Sequence, residues 1–271
     1  MLDTMRWTRG VLSVNTYIQD EPDDAVDFFR NTSAKQMNGS DTKDYGNKMK
    51  VAFMIAGQLR LWDTNGRVQI DSFRARHPEV TVHVYMLIND AAENEAAYAH
   101  LRDDSTRVKV RLYETPPKFR RENWDPELTD LANFSMAIVA NHRDCFQMIC
   151  DSGEHHDLVI RYRSDFVSLT TLPLIADADE SSLYLAVPNE GDDVFQYTYK
   201  GIPYVQHNVV MGSQTVMGRV FNTFEPEADL VPHQSHLVSE IMFVEHLKKH
   251  LSDVRLRPFV FQVALDPRRW G

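Results

Sequence analysis

Two stretches of the chain combine residue types that hold phosphate and metal. In the first, the apolar run KVAFMIA ends in Gly57-Gln58-Leu59-Arg60. Glycine permits close approach of the backbone to a ligand, and a guanidinium pairs bidentately with a diphosphate. Alone, the same letters also describe a glycine turn beside a solvated arginine. In the second stretch, apolar DLVI runs directly into Arg161-Tyr162-Arg163-Ser164-Asp165. On one extended strand alternate side chains share a face, so Arg161, Arg163 and Asp165 point together while Tyr162 and Ser164 point away. Two cations beside one carboxylate keep it ionised, as a metal ligand must be. Mg²⁺ or Mn²⁺ bridging two phosphates needs only one or two carboxylates, and Asp165 suits that role. The plainer alternative is an ion-pair ladder on a sheet edge; a position straight after a buried-type strand argues against it, because unpaired charge is costly there.

A base for an acceptor hydroxyl would be a separate carboxylate or histidine. Candidates are Glu240, at the start of a helix after Pro232-His233-Gln234-Ser235-His236, and the adjacent acids Asp192 and Asp193. Each also reads as a solvated acid, and Glu240 as ordinary first-turn helix chemistry. His246 and His250, four apart, join His233 and His236 in inviting zinc. His246 is followed by Leu247, Lys248 and Lys249 instead of the HExxH pattern, and lysines oppose a cation, so zinc is not expected there. Tyr197, Tyr199 and Tyr204 suit stacking on a sugar ring or closure of a core edge. The P-loop, GxGxxG and GxSxG patterns are missing, which removes the usual NTPase, dinucleotide and α/β-hydrolase signatures.

Such residues can cooperate only if the chain sets the ends of their strands side by side, as open parallel α/β sheets do. The pattern predicts strands at 50–57, 80–88, 107–114 and 181–188, one strand through the stretch 155–169, and a terminal strand over 254–265. It predicts helices around 66–77, at 91–103, from about 127 to a stop at Gly153, near 213–224 and at 236–251. Short apolar strands alternating with helices indicate βαβ units and a mostly parallel sheet. Residues 1–48 are polar and end in an Asn, Ser, Asp, Gly and Lys cluster, read as an N-terminal extension that is partly loop or linker; 49–271 reads as the main domain.

Composition narrows the partners. With 39 acidic against 29 basic residues and a formal net charge of −10, a phosphate-tracking surface would work against the overall field, so nucleic acid is not an expected partner. At 271 residues, 43% of them hydrophobic, one large core can form. Cys145 and Cys150 lie five apart in a predicted helix, about 140° around its axis, poorly placed to bridge, which points to a reducing compartment. No apolar run approaches the ~20 residues that span a bilayer and no secretory signal is visible, so the expected location is cytoplasmic.

Taken in order, the motifs resemble a known family, the GT-A glycosyltransferases of surface-polysaccharide synthesis in bacteria and large DNA viruses. The matching pieces are Ile55-Ala56-Gly57-Gln58-Leu59-Arg60, Asp157 to Asp165, Asn208-Val209-Val210-Met211-Gly212-Ser213-Gln214-Thr215-Val216-Met217, and Ser239-Glu240, across about residues 50 to 262. The resemblance implies a GT-A fold, Rossmann-like, with a mostly parallel central sheet and helices on both faces. It implies a nucleotide-sugar donor, most often a UDP-sugar, a glycan acceptor, and Mn²⁺ or Mg²⁺. Gly57, Gln58, Arg60, Arg161, Arg163 and Asn208 would line the donor site and Asp165 would hold the metal in place of the second aspartate of a DxD motif. Arg163 stands where the first DxD aspartate would be, and Asn208-Val209 where relatives often carry an acid. The base would be Glu240 or Asp193, with inversion of the anomeric centre the expected outcome.

Two rivals share these features. A sugar nucleotidyltransferase would use the same sheet and metal, but GQLRLWDTNGR is only a weak version of its glycine-rich, lysine-bearing loop. A glycan-binding or assembly protein that kept the fold without the chemistry is favoured by the absent first aspartate and opposed by Asp165 beside two arginines.

Overall fold

Val51 to Ile55 are all within 3% of complete burial, so the first strand has an apolar side chain on both faces and can exist only in the middle of a sheet covered above and below. The computed structural model describes residues 48–57, 59, 61–90, 95–112, 126–164, 166–196, 198–199, 202–203, 208–223 and 239–265. In chain order the elements are β1 (Lys50–Gly57), a π-helical turn (Trp62–Gly66), α1 (Arg67–Arg76), β2 (Thr81–Asp90), a 3₁₀ helix (Glu95–Leu101), β3 (Thr106–Leu112), α2 (Pro126–Asp151), β4 (Leu158–Tyr162), β5 (Phe166–Ser168) and β6 (Ser182–Val187). They continue with β7 (Thr198–Tyr199), β8 (Ile202–Pro203), β9 (Val209–Gly212), α3 (Gln214–Asn222), α4 (Ser239–His250), β10 (Arg255–Val260) and β11 (Val263–Leu265).

Seven strands form the main sheet in the order β10-β6-β9-β4-β1-β2-β3. β1 pairs in parallel with β2 and β4, β2 with β3, and β6 with β10, while β9 runs antiparallel between β4 and β6. Ala52, Met54, Tyr85 and Leu87 face one core with Cys145, Phe146 and Ile149 of α2, Val216 and Val220 of α3, and Val244 of α4. Val51, Phe53 and Ile55 face the other with Trp62 and with Ile70 and Phe73 of α1. The expected α/β architecture, a mostly parallel sheet with helices on both faces, is therefore what the chain forms.

Several elements differ from the pattern reading, which marks no strand at β9 (Val209–Gly212), although β9 is buried and pairs between β4 and β6, and none at the short β7 and β8. The segment expected as a helix over 91–103 is a 3₁₀ helix at Glu95–Leu101; that coil rises about 2.0 Å per residue against 1.5 Å, so a short connection covers more of the way back to β3. The strand expected through 155–169 breaks after Tyr162, and Phe166–Ser168 pairs antiparallel with Val263–Leu265 in a separate two-stranded sheet. The terminal strand splits correspondingly, because Phe261 N–H turns back to the Val187 carbonyl at 2.9 Å and Leu169 N–H reaches the Gln262 carbonyl at 2.9 Å. Gly153 follows α2 at φ +69°, the left-handed conformation that suits glycine at a helix stop. Both cysteines are free thiols, and burial pushes that of Cys145 up to about 12. No helix among the described residues is long and apolar enough to cross a membrane.

The outer strands are tied by one carboxylate. Asp179 accepts from Ser181 N–H and Oγ at 2.7 and 2.8 Å, from Ser182 Oγ at 3.0 Å, and from Arg255 Nη2 at 2.8 Å, joining the starts of β6 and β10. The Ser181 hydrogen bonds lead in lowering its pKa from 3.8 to about 2. A depressed carboxylate stabilises the fold above its unfolded pKa, and that contribution is lost as pH falls through the folded value. Asp179→Asn is accordingly expected to melt below the wild type at neutral pH, with the gap narrowing below pH 3.8; melting curves across pH would check this.

Candidate functional site

The carboxyl ends of β1 and β4 leave the sheet at one edge, since Met54 pairs with Arg161 in parallel register. β1 ends at Gly57, whose φ of +113° is open to glycine and unfavourable for other residues. Leu61 then takes a left-handed conformation at φ 56°, a strained choice for a leucine, and the chain enters the π turn Trp62–Gly66. π turns and strained residues gather at functional sites. Gly66 fixes where this segment lies: a β-carbon there would stand 2.6 Å from the Trp62 ring and 2.9 Å from Ser164 Cβ. The absence of a side chain lets the turn after β1 press against the residue that follows Arg163.

At the end of β4, side chains alternate between the two cores. Arg161 points toward α2, where its Nε–H donates to Nε2 of His142 at 2.9 Å, and both residues are buried. Burial comes first in holding the His142 pKa well below 6.5, followed by the charges of Arg161 and Arg163, while a hydrogen bond with the Ile138 backbone opposes. The imidazole therefore stays neutral and offers Arg161 a lone pair. Tyr162 turns into the opposite core. Arg163 stands just past the strand: its N–H donates to the Asn208 carbonyl at 3.2 Å, its Nη1 to Asn208 Oδ1 at 3.5 Å, and its guanidinium carbon lies 4.7 Å from the Phe166 ring centroid. Asn208 immediately precedes β9, which runs antiparallel and so contributes its amino end to this same edge.

The structure thus brings Gly57, Arg161, Arg163 and Asn208 to one edge of the sheet and divides the two arginines: Arg161 is enclosed beneath it, and Arg163 is half-buried at its rim. The shared face expected for Arg161, Arg163 and Asp165 depended on a strand that stops at Tyr162. Gln58, Arg60 and Asp165 lie outside the described residues, as do Tyr197, Tyr204, His233, His236 and residues 1–47. Asp193 is exposed on the loop after β6, and its Oδ1 accepts from Phe195 N–H at 2.8 Å. Asp192 Oδ2 accepts from both Asn189 N–H and its side-chain amide at 3.1 Å. Glu240 occupies the first turn of α4. His246 is a core histidine whose Nε2 lies 2.8 Å from the Val220 carbonyl oxygen. His142, Gly66 and Trp62 escaped the sequence reading. For His142 a signal existed: it falls in the stripe shared with Cys145, Phe146 and Ile149 at helical spacing, so it had to be buried and had to find a partner.

The fold and these strand ends define an α/β, Rossmann-like domain with polar and cationic residues at the carboxyl edge, where ligands bind in such sheets. No protein-family model matches the sequence, and neither does any curated protein. Among solved structures, the chain is similar to an active-site mutant of LgtC at a TM-score of 0.42 and 15% identity, covering 77% of this chain and 72% of that one. It is also similar to the galactosyltransferase LgtC in complex with donor and acceptor sugar analogs, at a TM-score of 0.39 and 16% identity, covering 77% and 73%.

Two substitutions test the frame. Gly66→Ala should destabilise by about 1–3 kcal/mol, since a methyl group there overpacks rigid neighbours; urea unfolding measures it. His142→Ala removes one acceptor from a buried guanidinium, and about 2–4 kcal/mol should be lost. Because the unfolded imidazole protonates near 6.5 while the folded one stays neutral, this contribution is complete above that pH and declines below it. The gap between His142→Ala and wild type should therefore be widest near about pH 7.5 and narrow toward about pH 5.

Proposed function

We propose that the chain is a GT-A glycosyltransferase that moves a sugar from a nucleotide-sugar donor to a hydroxyl of a glycan acceptor. The observation that carries this reading is the convergence, at one carboxyl edge, of a glycine exit from β1 and a rim arginine braced by Asn208 and Phe166. A guanidinium held in place by an amide and an aromatic ring loses little freedom on meeting a diphosphate. The motif order described above supports the same assignment, and the two free cysteines fit a reducing, cytoplasmic setting.

In this reading the diphosphate of a UDP-sugar lies over Gly57, Gln58 and Arg60, with Arg163 and Asn208 at its flank and the buried Arg161 adding positive potential from below. Asp165 would hold Mn²⁺ or Mg²⁺, which when bound supplies Lewis-acid neutralisation of the diphosphate. Glu240, or alternatively Asp193, takes the proton of the acceptor hydroxyl. The freed oxygen bonds to the anomeric carbon from the face opposite the diphosphate, with inversion. The bond from that carbon to the diphosphate oxygen breaks, and Arg60, Arg161 and Arg163 offset the charge that develops on the departing UDP. Residues 49–271 form the catalytic domain, and 1–48 are an accessory extension.

The test is a thermal-shift titration with UDP-, GDP-, CMP- and dTDP-sugars, each with and without Mn²⁺. A donor at about 100 times its Kd should stabilise the fold by about 2.7 kcal/mol, a rise of roughly 5–10 °C in Tm. One nucleotide class is expected to act, to need the metal, and to lose its effect in Asp165→Ala. Failure of every nucleotide sugar to move the Tm would overturn the transferase reading and favour a glycan-binding role.

A further inference from the structure

At the opposite, amino-terminal edge of the sheet, three metal-ligating side chains converge. His83 lies near the start of β2, and Glu154 and His156 lie in the turn that carries α2 into β4. His83 Nδ1 is 3.0 Å from His156 Nε2 and 3.6 Å from Glu154 Oε2, and one ligand atom from each of the three lies within 4.8 Å of the others. In a tetrahedral site with bonds of 2.0–2.1 Å, ligand atoms stand about 3.3 Å apart. Two of the separations bracket that value and the third lies within 4.8 Å, so a central ion would draw the His156 and Glu154 side chains together.

The imidazoles are held for this geometry. His156 is fully buried, its backbone N–H donates to Gln214 Oε1 at 2.7 Å, and its ring meets those of His83 and Tyr85 edge to face at centroid distances of 5.3 and 5.6 Å. A cation already occupies the cluster: Lys50 Nζ donates to Glu154 Oε2 at 3.0 Å. The carboxylate therefore accepts positive charge at this spot, and the ammonium sits where an ion would compete.

We propose that His83, Glu154 and His156 form a zinc site separate from the donor site. Two imidazoles and one carboxylate suit this borderline-soft ion, with water completing four-coordination. Bound zinc displaces the Lys50 ammonium from Glu154 and cross-links β2 to the entry of β4, the two strands that flank β1. This assignment stands independently of the transferase reading, because none of its residues lies at the carboxyl edge.

The experiment uses the full 271-residue chain, stripped with a chelator and titrated with Zn²⁺, and with Co²⁺ as a coloured substitute. The readouts are stoichiometry by native mass spectrometry, the visible spectrum and Tm. One equivalent should bind, raise the Tm, and with Co²⁺ give the absorption of a tetrahedral site. His83→Ala and Glu154→Gln, which change partly exposed side chains, should each weaken binding by at least about tenfold. Lys50→Met, which removes the competing ammonium, should tighten it, and Asp165→Ala should leave it unchanged. The proposal is overturned if saturating Zn²⁺ neither binds at one equivalent nor moves the Tm, or if binding survives both His83→Ala and Glu154→Gln.

Discussion

Burial of the central strands on both faces is the constraint from which the rest of this molecule follows. β1 and β4 are flanked in the sheet and covered by helices on one side and by α1 and the π turn on the other, so Val51 to Ile55 and Leu158 to Ile160 must all be apolar. A polar side chain placed among them would lose its hydration without a partner. Chemistry is therefore driven to the strand ends, where the pleat no longer forces alternate residues into a core. Among the described residues, the Arg161–Arg163 and the His83–Glu154–His156 clusters both lie at such ends.

Arg161 is the instructive exception. It is the fourth residue of β4 and is almost completely buried, with its guanidinium directed at a helix core. That position is tolerable because His142 presents a neutral imidazole at hydrogen-bond distance, and the same buried charge helps keep His142 neutral. One turn of α2 and one residue of β4 are thereby matched in polarity inside an otherwise apolar layer. Two residues on, Arg163 escapes the core and is braced from the side by Asn208 and Phe166. A buried guanidinium below and an oriented one at the rim thus stand together at one edge of a protein whose overall charge is −10.

The amino edge obeys the same rule with different chemistry. Lys50, His83, Glu154 and His156 sit where β1, β2 and β4 begin, and their hydrogen bonds reach between segments far apart in sequence. A cation there, whether ammonium or metal, acts on the sheet from the end remote from Arg163. The two edges are joined by the rigid strands between them.

The sequence by itself determined the order and type of most of the central elements, the antiparallel strand β9 excepted. Apolar runs of strand length, a glycine after β1, a glycine stop after α2 and the serine cap of α3 all act through neighbours close along the chain, so local pattern carries them. It also marked Gly57, Arg161 and Arg163, because such residues at the ends of buried strands stand out against their surroundings, while Asn208 was marked only by the resemblance. What only tertiary structure decided depends on partners distant in sequence. The break after Tyr162 arises because Phe166–Ser168 pairs with Val263–Leu265, which no local periodicity can foretell. The different fates of Arg161 and Arg163 follow from a histidine nineteen residues earlier and an asparagine forty-five later. The His83, Glu154 and His156 cluster exists only because parallel pairing sets β1 between β2 and β4, and a spacing of seventy-three residues between two imidazoles has no signature until the sheet closes that distance.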